Sequence, residues 1–169
     1  MTDDAARAVL ISGVYGSGKT SVAVEMADIL GDRGEPYAVL DLDWLMWFHA
    51  PGYPDEDHDM MVRNLAPVVA NYRAAGVRSF VLARAVRDRA ELAGLRSTLS
   101  MPLRVVRLTV PIDEIERRLS TDVTAGRRDD LVVAREWLVA GTGEGLEDLT
   151  VANERPVREV AGRIIAWLG

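Results

Sequence analysis

Lysine is nearly missing from this chain. Of 20 basic residues in 169, all but Lys19 are arginine. Cysteine is absent altogether, which excludes disulfides and thiolate metal sites, and two histidines leave a histidine-based zinc site almost no ligands to draw on. Long apolar runs are missing too. Ala8 to Ile11 and Phe80 to Ala83 fall far short of the ~20 residues that cross a bilayer, and the opening Thr2-Asp3-Asp4 is unlike a basic, then apolar, leader. The expectation is a chain that neither meets the membrane nor is exported, with the cytoplasm as its compartment. Excess positive charge is lacking as well: the formal charge is −6, and a surface of that sign offers no footprint for nucleic acid. A small-molecule partner fits better. With 49% hydrophobic residues, no repeat, no low-complexity tract and no linker, residues 1–169 read as one domain with a proper core.

What is present alternates. Short apolar or β-branched runs at Ala8 to Ser12, Tyr37 to Leu42, Arg78 to Ala83, Leu103 to Thr109 and Leu149 to Ala152 read as strands, separated by segments of helical period. That order predicts an α/β fold with a doubly wound, five-stranded parallel sheet. Lys19 to Leu30 reads as a helix closed by Gly31 at its C′ position, and Asp113 to Leu119 as an amphipathic helix. Arg155 to Leu168 spaces Val157, Val160, Ala161, Ile164, Ile165 and Leu168 for a helix packed on the sheet. Pro67 falls inside the helical pattern Met60 to Tyr72, where it either starts a helix or kinks one. Gly141, Gly143 and Gly145 lack dinucleotide-binding spacing and read as a loop.

The informative stretch runs Gly13-Val14-Tyr15-Gly16-Ser17-Gly18-Lys19-Thr20, followed by Ser21. It satisfies every fixed position of G-x-x-x-x-G-K-[ST], directly after a predicted strand and before a predicted helix. A chance match is on the order of one in a thousand for this composition, which favours a phosphate-binding loop over an ordinary glycine-rich turn. The chemistry needs glycine because backbone N–H groups can wrap closely round a triphosphate only where no Cβ intervenes. The following helix adds its N-terminal donors and dipole. The pattern places Lys19 on the β- and γ-phosphates of ATP and the Thr20 hydroxyl on Mg2+. The sole lysine stands where a compact ammonium fits between phosphate oxygens better than a planar fork does. With no second lysine available for an Asn-Lys-x-Asp segment, the Ras-type GTPase reading ranks low.

On these residues the sequence resembles the small P-loop kinases, the group containing shikimate, gluconate and adenylylsulfate kinases and chloramphenicol phosphotransferase. The resemblance implies a P-loop NTPase three-layer sandwich with a small lid. It also implies an ATP-dependent transfer of the γ-phosphate to a hydroxyl of a small molecule. Asp41-Leu42-Asp43 at the end of the second predicted strand is similar to the Asp-x-Asp of shikimate and adenylylsulfate kinases. Alternate strand residues share a face, so both carboxylates are expected at one cleft. By the resemblance Asp41 holds magnesium through water and Asp43 orients or deprotonates the acceptor hydroxyl. Against this stands a solvated strand end, with Asp43 capping the helix that follows. The resemblance also implies a lid over about residues 117–130, with Arg128 as its transition-state arginine and Arg117 and Arg118 either alternatives or ordinary partners of Glu114. Arg84 either touches substrate from the sheet edge or lies in a solvated loop, and Asn153 is placed near the adenine.

Substrate choice falls to Trp44, Trp47, Phe48, His49, Pro51, Tyr53 and the acidic run Asp55 to Asp59. The aromatics either wall an acceptor pocket, whose acidic rim would favour a neutral or cationic polyol, or form an ordinary helix-packing stripe at i, i+3 and i+4. A nucleoside or nucleotide kinase is the alternative within the enzyme class. An ATP-dependent switch, or slow ATPase without acceptor, is the alternative outside it.

Overall fold

The computed structural model describes residues 5–52, 58–121 and 127–169, the side chains of residues 121, 127 and 128 excepted. Strands β1 (Arg7–Ser12), β2 (Tyr37–Asp41), β3 (Ser79–Ala83), β4 (Leu103–Thr109) and β5 (Leu149–Ala152) form one sheet in the order β2-β3-β1-β4-β5, every pairing parallel. The helices are α1 (Lys19–Asp32), α2 (His58–Ala74), α3 (Arg89–Leu99), α4 (Ile112–Thr121), α5 (Arg127–Ala140) and α6 (Val157–Leu168).

Alternation along each strand sorts the core onto two faces. Ala8, Leu10, Phe80, Leu82 and Val105 point to α2 and α3, where they meet Met61, Leu65, Leu92 and Leu95. Val9, Ile11, Val81, Val106 and Val151 point to α1 and α6, against Val22, Met26, Val160 and Ile164. Strands buried on both faces read as continuous apolar runs, which is why their positions are visible in the sequence. A third, smaller cluster of Val110, Ile115, Leu119 and Ala134 gathers α4 and α5 over Val14 and Tyr15 of the loop after β1.

Several expectations shift. Helix α1 does not stop at Gly31. It runs to Asp32, and Gly34 takes the left-handed conformation (φ 71°), with Glu35 N–H donating to Leu30 O and Gly34 N–H to Gly31 O. That pair of bonds is a Schellman motif, and its C′ position demands positive φ, which Gly34 supplies and helical Gly31 does not. Pro67 neither starts nor ends α2; it sits inside the helix on the solvent side, between buried Leu65 and Val69. The C-terminal helix begins at Val157, after Pro156. The glycines at 141, 143 and 145 all adopt positive φ in a turn after α5, as a loop requires. Among the described residues, no helix is long and apolar enough to cross a membrane.

Candidate active site

Register brings the chemistry to one edge. Ile11 pairs with Ala83, and Ala83 with Asp41, so the loop after β1, the end of β2 and the residues after β3 leave the sheet together at its carboxyl end. In open α/β sheets that edge, near the strand whose neighbours run off in opposite directions, is where ligands bind.

The loop from Gly13 to Thr20 has the conformation its glycines allow. Gly16 and Gly18 stand at φ 78° and 90°. A Cβ on Gly18 would lie 2.5 Å from Asn153 Nδ2, and one on Gly16 3.0 Å from Ile115 Cγ2. Gly18 is the N-cap of α1, which has no side-chain cap and no acidic residue in its first turn. Its dipole and N-terminal donors are thus left to an anion. Lys19 bends back over the loop, donating to Val14 O at 3.1 Å with its ammonium 5.2 Å above the Tyr15 ring. Burial pushes the Lys19 pKa below the ordinary lysine value, against the opposing pull of Asp43, Asp41 and Asp130. The Ser17 hydroxyl is fully buried and, among the described residues, without a hydrogen-bond partner. An orphaned hydroxyl, a glycine cradle and an uncapped helix start fit a phosphate group. Val14 and Tyr15 pack beneath the α4–α5 cluster, and Ser21 follows Thr20 on the exposed side of the first turn of α1.

The Thr20 hydroxyl donates to Asp41 Oδ2 at 2.7 Å. A hydroxyl and a carboxylate oxygen at that separation, beside the phosphate cradle, are a donor set suited to Mg2+. Asp41 Oδ1 accepts from the Asp43 backbone N–H at 3.2 Å and so caps the single 3-10 turn Leu42–Leu45. The capping residue is therefore Asp41. Asp43 does not share a strand face with it, because β2 ends at Asp41 and the chain turns at once. The two carboxylates still serve one edge, the first reaching α1 and the second the residue after β3.

That residue is Arg84, and it is not a solvated loop residue: it is 3% exposed. Its Nη1 donates to Asp43 Oδ1 at 2.7 Å and its Nε to Glu91 Oε1 at 2.7 Å. Glu91 is buried in the first turn of α3, where its other oxygen accepts from Arg87 N–H at 2.9 Å, and His58 Nδ1 lies 3.5 Å from Oε1. Glu91 is the member that sequence reasoning missed; a glutamate seven residues past an arginine carries no signal of contact.

On the far side of the loop stands Arg118. It donates from Nη1 to Gly16 O and Ser17 O at 3.4 Å, from Nη2 to Asn153 O at 2.9 Å and from Nε to Glu114 at 2.7 Å. Asn153 Nδ2 in turn donates to Ser17 O at 2.7 Å, so the residue expected near the adenine braces the loop itself. Two arginines hold Glu114, whose pKa falls to about 2 through hydrogen bonds from Arg117 and then Arg118. Arg117 is an ordinary helix-surface partner of Glu114, two-thirds exposed. Arg118 is the arginine that the described structure brings to the loop. The Arg128 side chain and the lid stretch 122–126 lie outside the described residues, as do Tyr53 and Asp55 to Asp57.

The aromatic segment is not a helix-packing stripe. Leu42 and Met46 turn inward, while Trp44 and Trp47 stand 67% and 74% exposed with ring centroids 4.7 Å apart. With Phe48 and His49 they line an open depression of about 510 Å³. Among the described residues two other depressions, both reaching Ala5 and Pro102, lie at the opposite end of the sheet from the loop.

No protein-family model and no curated relative matches the chain. Solved structures do. An unliganded sugar kinase from Janibacter sp. HTCC2649 superposes with a TM-score of 0.67 at 25% identity, over 96% of this chain and 94% of that one. The tunicamycin resistance protein of Deinococcus radiodurans gives 0.70 at 18% identity, over 97% and 96%. The APS kinase of Mycobacterium tuberculosis, in complex with AMPPNP and APS, gives 0.61 at 21% identity, over 97% and 98%. Over nearly its whole length, the chain is similar to the small P-loop kinases and has their fold.

Proposed function

We propose that this protein is a phosphotransferase that moves the terminal phosphoryl group of ATP to a hydroxyl of a small molecule. The observation that carries the reading is the bond from Thr20 to Asp41, which ties the phosphate cradle to the strand end bearing Asp43. Thr20 and Asp41 are the residues that would hold Mg2+, directly or through water. When bound, the ion would supply positive charge that offsets the negative charge of the phosphates during transfer. Lys19 exchanges its bond to Val14 O for the phosphate oxygens, and residues Gly13 to Ser21 wrap the anion. Arg118 and Asn153 hold the loop carbonyls outward, which keeps the N–H groups aimed inward.

The acceptor hydroxyl sits on Asp43, whose side chain is 44% exposed and fixed by Arg84. As the acceptor oxygen bonds to phosphorus, the bond to the β-phosphate oxygen breaks, the hydroxyl proton passes to Asp43 and ADP leaves. Arg128 keeps its place as the lid arginine on sequence position alone. The test is a mass-shift screen with ATP, Mg2+ and a panel of sugars, nucleosides, aminoglycosides and other hydroxylated compounds. The expected result is one acceptor class gaining a phosphoryl group, with Lys19→Ala inactive but folded. Steady ATP hydrolysis with no phosphorylated product from any acceptor would instead favour a slow ATPase or switch.

A further inference from the structure

The acceptor side has two features that the transfer chemistry does not require. The first is the state of Arg84. A buried arginine at the sheet edge beside the acceptor carboxylate is well placed to clamp an acidic substrate. Here its Nη1 and Nε are already committed to Asp43 and Glu91, both at 2.7 Å. It cannot swing out without costing Glu91, whose side chain is 5% exposed, its shortest ion pair and leaving that carboxylate to Arg87 and His58 at 3.5 Å. An anionic acceptor would meet the Asp43 carboxylate, with two of the three guanidinium nitrogens of the nearest cation already engaged.

The second feature is the pair Trp44 and Trp47. Leu42 and Met46 anchor the turn from below, so the tryptophans are not needed for the core, yet they pack on one another in the open. Contiguous exposed aromatic surface marks a binding site more often than it marks a fold requirement. Trp44 follows Asp43 directly, so their Cα atoms are about 3.8 Å apart. The aromatic turn therefore begins at the residue that holds the hydroxyl, and an acceptor extending from Asp43 along that turn meets the tryptophan ledge. The electron-rich indole face suits the weakly positive C–H face of a sugar ring or the flat face of a heterocycle.

We propose that the acceptor is a hydroxylated ring compound bearing no acidic group, such as a neutral sugar, glycoside or nucleoside. Its ring face rests on Trp44 and Trp47 and one hydroxyl rests on Asp43. This deepens the phosphotransferase reading and rests on it.

The test uses the whole protein with ATP and Mg2+ and matched acceptor pairs differing by one acidic group: glucose and glucuronate, methyl glucoside and its uronate, uridine and uridine 5′-monophosphate. The uncharged member of the productive pair should have a kcat/KM higher by about tenfold or more. Trp44→Ala and Trp47→Ala, both at exposed positions, should raise the acceptor KM by roughly 5- to 30-fold with kcat and the KM for ATP nearly unchanged. Preference for the acidic member, or an unmoved acceptor KM in both variants, overturns the inference and leaves the transferase standing. If the variants instead convert a dimer to a monomer without moving KM, the ledge is a subunit interface and the inference falls. Absence of transfer to every compound removes the transferase reading and this inference with it.

Discussion

The link from Asp43 through Arg84 to Glu91 should separate stability from activity. Both inner members are buried, at 4% and 5% side-chain exposure. Replacing one member of such a pair leaves a charge that neither water nor protein compensates, at about 3–5 kcal/mol. Glu91→Met leaves Arg84 with the half-exposed Asp43, so the lower figure applies. At ~2–4 °C per kcal/mol for a chain of this size, Tm should fall by roughly 6–12 °C. Arg84→Met leaves Glu91 with the Arg87 N–H and guanidinium and His58, so its cost should fall at or below that lower figure. The double variant removes both charges and fills the space with apolar side chains of similar volume, so it should be more stable than either single one. Its turnover should stay at least about tenfold down, because Asp43 has lost the group that fixes it and small misplacements at a reacting centre are costly. Thermal unfolding and steady-state kinetics on the four proteins decide the matter. Additive losses in the double variant would refute the claim that the pair is held against desolvation. Full turnover in it would refute the positioning of Asp43 by Arg84.

Asp43→Asn should leave ATP affinity nearly intact and lower kcat by roughly 10²-fold or more if the carboxylate takes the acceptor proton, as pre-steady-state transfer would report. Gly18→Ala places a Cβ 2.5 Å from Asn153 Nδ2 at φ 90°, so ATP binding should weaken by at least about tenfold through ~1–2 kcal/mol of backbone strain plus the clash; Asn153→Ala in the same chain should restore part of it by calorimetry. Glu114 has its pKa depressed from 4.5 to about 2. Its contribution is therefore complete above the unfolded value and fades as pH falls from 4.5 toward about 2. Urea midpoints measured across that window should drop less steeply with acid in Glu114→Gln than in the parent protein; identical slopes would exclude the carboxylate as a source.

Legibility in the sequence followed the range of the interaction. The phosphate loop is a local pattern of eight residues, and its conformation is set by its own glycines. Strands β1 and β3 were visible because burial on both faces leaves almost no polar alternation to confuse them, while β2, β4 and β5 showed as short apolar or β-branched runs. Asp41 and Asp43 were found by likeness, but their geometry was misjudged: a carboxylate that caps its own next turn ends a strand, and periodicity says nothing about that. The stripe of Trp44, Trp47 and Phe48 fitted a helix equally well. A one-turn 3-10 segment anchored by Leu42 and Met46 puts the tryptophans outward instead. Least legible were contacts between residues 41 and 102 positions apart, Arg84 to Asp43 and Arg118 to Gly16. They exist only because β3 lies beside β2 and α4 returns over the loop.

The same physics accounts for the missing lysines. Arginine serves here wherever a carboxylate must be gripped in a fixed plane. Arg117 grips both oxygens of Glu114, Arg107 joins Glu144 to Glu147, Arg158 joins Glu25 to Asp32, and Arg84 joins Asp43 to Glu91. Each uses the rigid fork, which an ammonium cannot reproduce. At Lys19 the requirement is reversed. The group folds back on its own loop carbonyl and, in the proposed transfer, would have to reach a triphosphate, which calls for a compact charge on a flexible stem. Its burial disfavours the charged form, so an incoming phosphate finds a cation already stripped of much of its water. In a chain of net charge −6, long-range attraction contributes nothing to holding a nucleotide. In the proposed reading the affinity comes from this one desolvated ammonium, the glycine-lined backbone donors, the uncapped start of α1 and the ion that Thr20 and Asp41 would hold.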